Sequence, residues 1–397
     1  MYSSFSSKKI VSYYLLISIL FFGYNMLQLP KMPYFALRLL LMLIVVFYVI
    51  YIKKHSVVRS NSIRLFSGYF IYLFFTLFLF FVNGSPLELI PEALISGLFP
   101  MLFFFVGVVD KNKSVFESDF YKYYFWGSII LFFCSIYLFV TMPSWYLEWK
   151  ISMQPEEWQE NINILGTMSG FSGSGYLVGY TAFFSFCYIL FKFKRKVAKK
   201  SDILYMFVVV FCMIFSQVRI AFLTSAIILI WYLKTTLTKR NFIIILVTSL
   251  AFIFVINYVI TNSETLDALF DIFFSKLERT AEDSRYETGF TLLSQQTNYF
   301  FGHGYGTGGH KANSLGLPSV TDFEYIKLFY ETGLVGFILF LIINVKAIWL
   351  FFHKRPKCDF EMCIIIFYLL AMLIANPLSA EATMSPIYWY ALGRVIS

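Results

Sequence analysis

The chain has 397 residues, 59% of them hydrophobic, 21% aromatic and 14% charged, with a formal net charge of +9. A soluble domain carries about 25% charged residues, so this mixture cannot cover a water-facing surface, and disorder would need low hydrophobicity with high charge. Its apolar runs are continuous, which excludes an alternating outer-membrane barrel, and its basic residues sit in scattered short loops, which excludes a nucleic-acid-binding stripe.

At ~20 residues per crossing, the apolar runs predict an all-α polytopic transmembrane bundle of about 12 spans in a single integral membrane domain. In chain order the predicted spans are 10–29, 33–52, 65–82, 92–109, 123–141, 166–191, 203–217, 220–233, 242–260, 333–352, 361–376 and 384–396. Lys8 and Lys9 precede an apolar run with no small-residue cleavage site after it, so the first run is expected to be an uncleaved span. The tight connection SQVR makes a hairpin of spans seven and eight. Lys and Arg gather in every second loop: Lys53 to Arg64, Lys111 to Lys122, Lys192 to Lys200, Lys234 to Arg240, and Lys354 to Lys357. The positive-inside rule puts these loops and the N-terminus in the cytoplasm, and an even span count returns the C-terminus there. Cys134, Cys187, Cys212, Cys358 and Cys363 have neither disulfide nor zinc spacing and read as core residues.

Two substantial segments then face outward. One is 142–165, whose Trp145, Trp149 and Trp158 suit the headgroup layer. The other, 261–332, is too long for a structureless loop, and long ordered loops are usually functional. Within it Leu266, Leu269, Phe270, Phe273, Phe274 and Leu277 recur at helical spacing, which predicts an amphipathic helix on the membrane surface.

Chemistry is expected in and around this outer loop. Arg219, at the mouth of the hairpin, is either a phosphate clamp or a headgroup anchor, since guanidinium offers a planar fork of donors to phosphate oxygens. Arg38, two turns into span two, lines a water-filled cavity or snorkels outward. Arg279 and Arg285 are either anion-binding or paired with neighbours such as Glu282 and Asp283. The stretch GHGYGTGG (302–309) contains a formal dinucleotide fingerprint but lacks its strand–turn–helix context. It is read as a backbone anion nest or as a tight turn placing two helices. His303 and His310 flank it without a zinc motif or a third ligand, so no metal and no cofactor are expected. Asp322 is an N-cap, a carboxylate base, or both, at the start of a helix in which Asp322, Tyr325 and Phe329 share a face and Glu324 lies near Glu331.

The order of these pieces resembles bacterial O-antigen polymerases and the related O-antigen ligases, the Wzy and WaaL families of GT-C-like membrane glycosyltransferases. The matching stretches are MSGFSGSGYLVGY (168–180), the Arg-bearing SQVRIAFL, SRYETGF, GHGYGTGG and ETGLVGFILFLI, covering roughly 166–345. The resemblance implies that Arg219 and Arg285, with Arg38 and Arg279 as further candidates, bind the diphosphate of an undecaprenyl-diphosphate-linked glycan. It implies metal-independent, inverting transfer of that glycan to a sugar hydroxyl of another lipid-linked repeat. Asp322 would be the base, with His303, His310 or Glu324 as substitutes, and Tyr305 and Tyr325 would stack on sugar. Ligases carry a His where Asp322 stands, which favours a polymerase; the ligase and a lipid-linked oligosaccharide flippase or transporter are the alternatives. Implied surroundings are the bacterial inner membrane with the site facing the periplasm or exterior, a Wzz-type chain-length regulator and a Wzx-type flippase.

Overall fold

The structure is a computed structural model and describes residues 61–152, 168–170, 175–236, 285–294, 296–309, 312, 315–320, 323–354, 358–378 and 384–397. Most of these residues are helical, and there is no strand among them. In chain order the principal helices are α1 (Asn61–Thr76), α2 (Phe103–Val109), α3 (Asp119–Thr141), α4 (Ser144–Ser152), α5 (Gly175–Lys194) and α6 (Lys200–Phe215). They continue with α7 (Arg219–Thr236), α8 (Arg285–Ser294), α9 (Glu324–Lys354), α10 (Asp359–Ala371) and α11 (Ser385–Ile396). Helices α3, α5 and α9 are long and apolar enough to cross a membrane. The predicted spans 10–29, 33–52 and 242–260 and the amphipathic stretch 266–277 lie outside the described residues.

Several predicted spans have different limits for local reasons. The run 65–82 breaks after Thr76, whose hydroxyl donates to the Leu73 carbonyl (2.7 Å) and competes with the helix ladder. The run 92–109 divides into a π-helical stretch Ala93–Leu98, a short turn Phe99–Met101 and α2, with Pro100 supplying no backbone N–H at the junction. Helix α5 starts at Gly175 rather than 166, after a Gly/Ser-rich segment in which Gly170 has φ +53°. Helix α10 stops at Ala371, before Asn376-Pro377.

The chain divides into two compact units, 1–127 with 284–397 and 128–283, the boundary falling within α3. In the first unit, α11 lies against α2 at two glycines. A Cβ on Gly107 would overlap the Tyr390 carbonyl, and one on Gly393 would overlap that of Phe104, so only glycine permits this approach. Stacked rings fill the adjoining space, Phe66 on Phe104 and Phe120 on Tyr390, with centroids 3.6 and 4.2 Å apart.

One end of this unit is tied by a buried charge network. Arg394 Nε donates to Glu361 Oε1 at 2.6 Å, and its other nitrogens donate to the carbonyls of Asp110 (3.0 Å) and Lys113. Tyr390 donates to Asp110 Oδ2 at 3.0 Å, and its hydroxyl lies 2.7 Å from Ser118 Oγ. A guanidinium buried to 4% exposure is tolerable because a carboxylate and several carbonyls surround it. The basic turn carrying Lys111 and Lys113 belongs to this end.

In the second unit α5 is buried along most of its length, with α6 and α7 packed on it. A Cβ on Gly179 would overlap Val218, so glycine lets the α6–α7 turn seat there. At the opposite, basic end, Asp202 ties the α5–α6 turn by accepting from Lys192 Nζ (2.7 Å) and the Lys199 N–H (2.6 Å). Where α4 lies, Tyr146 donates to the Gly170 carbonyl (3.1 Å), and Met168 N–H reaches the Phe215 carbonyl (2.8 Å).

Outward-turned side chains in both units are large and apolar, such as Ile71 in α1, Val140 in α3, Phe207 in α6 and Ile227 in α7. The pairs Lys327–Glu331 and Arg394–Glu361 lie inside. Such a distribution suits hydrocarbon surroundings rather than water.

Candidate functional site

The site begins with a broken helix. Gly333 has φ +63° and ψ −171°, which no helical residue adopts, so the ladder of α9 is interrupted around it. That interruption frees the carbonyls of Tyr330, Glu331 and Thr332 and the N–H groups of Leu334 and Val335, and buried backbone groups must find other partners. The segment 296–304 supplies most of them. His303 N–H donates to Tyr330 O (3.0 Å) and Gly304 N–H to Glu331 O (2.9 Å); Leu334 N–H donates to Tyr299 O (2.8 Å) and Val335 N–H to Phe300 O (3.2 Å). Tyr72 of α1 completes the set by donating to Thr332 O at 2.7 Å. Backbone lies on backbone here: a Cβ at Gly302 (φ +77°) would overlap the Glu331 carbonyl, and one at Gly333 would overlap Phe300. GHGYGTGG and the ETG at the head of span ten are thus two halves of one stitched junction.

The glycine loop also turns its N–H groups toward a carboxyl group of the protein itself, one whose burial raises it above the ordinary carboxylate range. Glu331 Oε1 accepts the Gly308 N–H at 3.0 Å, and the Gly306 N–H faces the same carboxylate. Lys327, one turn earlier, places Nζ 3.7 Å away, with both side chains buried. The glycines thus make the tight turn, and their N–H groups face the protein's own Glu331 carboxyl group. Tyr305 points inward: a Cβ at Gly97 in the π-helical stretch would overlap its ring, and burial raises its phenol well above the ordinary range.

Helix α9 begins at Glu324, so Asp322 precedes it; Asp322 itself, with His310, Arg38 and Arg279, lies outside the described residues. The turn following α10 caps this start. Asn376 accepts the Phe323 N–H through Oδ1 (3.1 Å) and donates to the Val320 carbonyl (2.8 Å), while Glu324 Oε2 accepts the Leu378 N–H (3.1 Å). Tyr325 donates its hydroxyl to Leu369 O at 2.9 Å. Its ring and that of Phe329 both meet Phe337, so the two share a face as their spacing predicts.

His303 is held on three sides. Its ring stacks on Tyr330 at 4.4 Å, Nε2 lies 3.1 Å from Thr297 Oγ1, and its carbonyl accepts from Asn83 at 3.0 Å. Nδ1 is buried without a hydrogen-bond partner, and burial lowers the imidazole below its usual value. Burial thus biases the imidazole toward its neutral form.

Helix α8, which starts at Arg285, packs beside this junction: Gly289 lies against Ile326, and Leu292, Val320 and Tyr330 form a small core with Phe323 and Ile326. Arg285 is therefore placed about one helical turn from the contact with the head of α9. Arg219 opens α7 in the second unit, just after Gln217 (φ +59°), and is half-buried beside the turn that seats on α5. Among the described residues no group of three metal-ligating side chains occurs.

Two fully buried charged pairs, Lys327–Glu331 and Arg394–Glu361, were not foreseen as pairs from the sequence. The first had a signal, a Lys and a Glu four residues apart at the head of an apolar span, where a solvated charge is expensive. The second joins residues 33 apart, with no local pattern to reveal it. No protein-family model matches the chain, and neither does any curated protein sequence.

Proposed function

We propose that the protein is a membrane glycosyltransferase that polymerises undecaprenyl-diphosphate-linked oligosaccharide repeats into a surface polysaccharide. Its bundle has about 12 spans in the bacterial cytoplasmic membrane, the lysine-rich turns facing the cytoplasm and the glycine junction facing outward. The observation that carries this reading is the meeting of three motif pieces at one end of one unit: the helix opened by Arg285, the glycine loop, and the head of α9. Lys111 and Lys113 lie at the opposite end, in keeping with that sidedness.

In this reading Arg219 and Arg285, supported by Arg38 and Arg279, neutralise the departing lipid diphosphate, which makes a metal unnecessary. The acceptor hydroxyl attacks the anomeric carbon opposite the diphosphate, the C–O bond to phosphate breaks, and configuration inverts. Asp322 takes the hydroxyl proton, with His303, His310 and Glu324 as the other candidate acceptors. In this reading the glycine junction fixes His303 and the head of α9 over the bilayer. Tyr305, packed inside, and Tyr325, with its hydroxyl committed to Leu369, serve sugar binding only where their ring faces open to the substrate. A Wzx-type flippase would deliver the substrate, and a Wzz-type regulator would set product length.

Purified protein mixed with a lipid-linked repeat, without metal or nucleotide, tests the proposal. Ladders of product support it. Folded protein that gives no ladder with competent substrate refutes it, transfer to a lipid A core instead identifies a ligase, and movement of the substrate across vesicles without transfer identifies a flippase.

A further inference from the structure

The stretch that stitches the break in α9 carries three consecutive exposed aromatic side chains, Tyr299, Phe300 and Phe301, at 54, 65 and 50% exposure. The carbonyls of Tyr299 and Phe300 accept the N–H groups of Leu334 and Val335, so the three residues stand at the point where the apolar part of α9 begins. From there to Phe352 every exposed side chain of α9 is apolar: Leu334, Ile338, Leu341, Ile342, Val345, Trp349 and Phe352. At the far end the strip closes on a second aromatic cluster, with Trp349 stacked on His353 at 4.8 Å and Lys354 Nζ 5.5 Å from the Trp349 ring. Leu334 and Lys354 are twenty residues apart, about 30 Å of helix, which equals the hydrocarbon thickness of a bilayer.

We infer that Tyr299–Phe301 is the outer interfacial anchor of the first unit, inserted at the headgroup–acyl boundary of a phospholipid bilayer, with Trp349, His353 and Lys354 as its inner counterpart. Aromatic rings favour this boundary at both faces of a membrane, and a lysine beside a tryptophan suits the phosphate level. Because the same residues bond the broken helix, the anchor sets the depth of the whole junction. His303, two residues beyond Phe301, then stands in the headgroup layer, the level at which a lipid-borne diphosphate lies. Thr297 and Asn298, on the other flank, supply the polar side of the boundary.

This inference rests on α9 crossing the membrane, and the experiment separates the two. Phe300→Trp, Tyr299→Trp and Ile342→Trp are placed singly in the full chain and reconstituted in phosphatidylcholine–phosphatidylglycerol nanodiscs. Each emission is compared with wild type, using lipids brominated near the glycerol end or near the methyl end of the acyl chain. Added emission at 300 and 299 is expected to lose about half its intensity to the shallow bromine and less to the deep one. Added emission at 342 is expected to show the reverse order. Shallow quenching absent at both 299 and 300, whether the rings respond to aqueous acrylamide or are shielded from all quenchers, overturns the anchor. Deep quenching absent at 342 overturns the crossing of α9 itself.

Discussion

Gly302 and Gly333 each adopt a left-handed φ, and each faces the other's neighbours with no room for a Cβ. Alanine at either position therefore combines backbone strain with an overlap against backbone that cannot rotate away, a loss of about 2–4 kcal/mol. Gly316 supplies the control: its φ is +69° but nothing lies within reach of a Cβ, so alanine there costs only the conformational strain, about 1 kcal/mol. Thermal unfolding in detergent should rank Gly302→Ala and Gly333→Ala well below Gly316→Ala; equal losses would contradict the close-approach argument. His303 provides a pH-dependent test. Burial lowers its value, so the unfolded chain binds the proton more tightly than the native one. The stability it contributes is present above the ordinary histidine value of about 6.5 and is lost as pH falls through the lower native value. Protection factors of amides 302–308, corrected for the intrinsic slowing of exchange at lower pH, should fall below about pH 6.5, and His303→Gln should flatten that dependence. An unchanged profile in the variant would remove His303 as the cause.

At the scale of elements, α9 shows what its pattern revealed and what it hid. Its apolar run is unmistakable from 333 onward, and the E-T-G at its head is visible as a motif. The turns Glu324–Thr332 were legible as the helical opening of this span, from the shared face of Tyr325 and Phe329, but the break at Gly333, which only a distant loop makes good, was not. The same holds for the glycine stretch, whose N–H groups point to acceptors some 25 residues later in the chain. Arg285 could be placed on a helix, while its approach to the head of α9 depends on Gly289 and Ile326, residues without any chemical signature. The Lys327–Glu331 pair gives the element its own test. Lys327→Met leaves a buried carboxylate without its cation and should cost about 3–5 kcal/mol. Adding Glu331→Gln removes the charge and keeps an oxygen for the Gly308 N–H, so the double variant should unfold at a higher temperature than Lys327→Met alone. A strictly additive loss would show that the pair does not interact.

Across the whole molecule, composition pointed to helices apolar enough to cross a membrane, and three helices meet that criterion among the described residues. The structure adds apolar helices with lipid-suited outer faces and buried polar networks placed toward particular ends of each unit. In the first unit, the basic turn carrying Lys111 and Lys113 and the Arg394 network occupy one end, and the glycine junction with α8 occupies the other. In the second unit, Arg219 opens a hairpin helix at the end where Tyr146 and Gly170 meet, away from the basic turn at Lys199. The sequence could assign charge to sides because loops are local, but which long-range partners close each end depends on packing between distant segments. The proposed chemistry requires a guanidinium at the leaving diphosphate. Its most direct test is the rate of glycan laddering by Arg285→Ala against wild type, in metal-free detergent solution with matched unfolding temperatures. A fall of roughly 100-fold or more is expected, the scale of a lost charge-stabilising donor. Laddering within a few-fold of wild type would contradict the account.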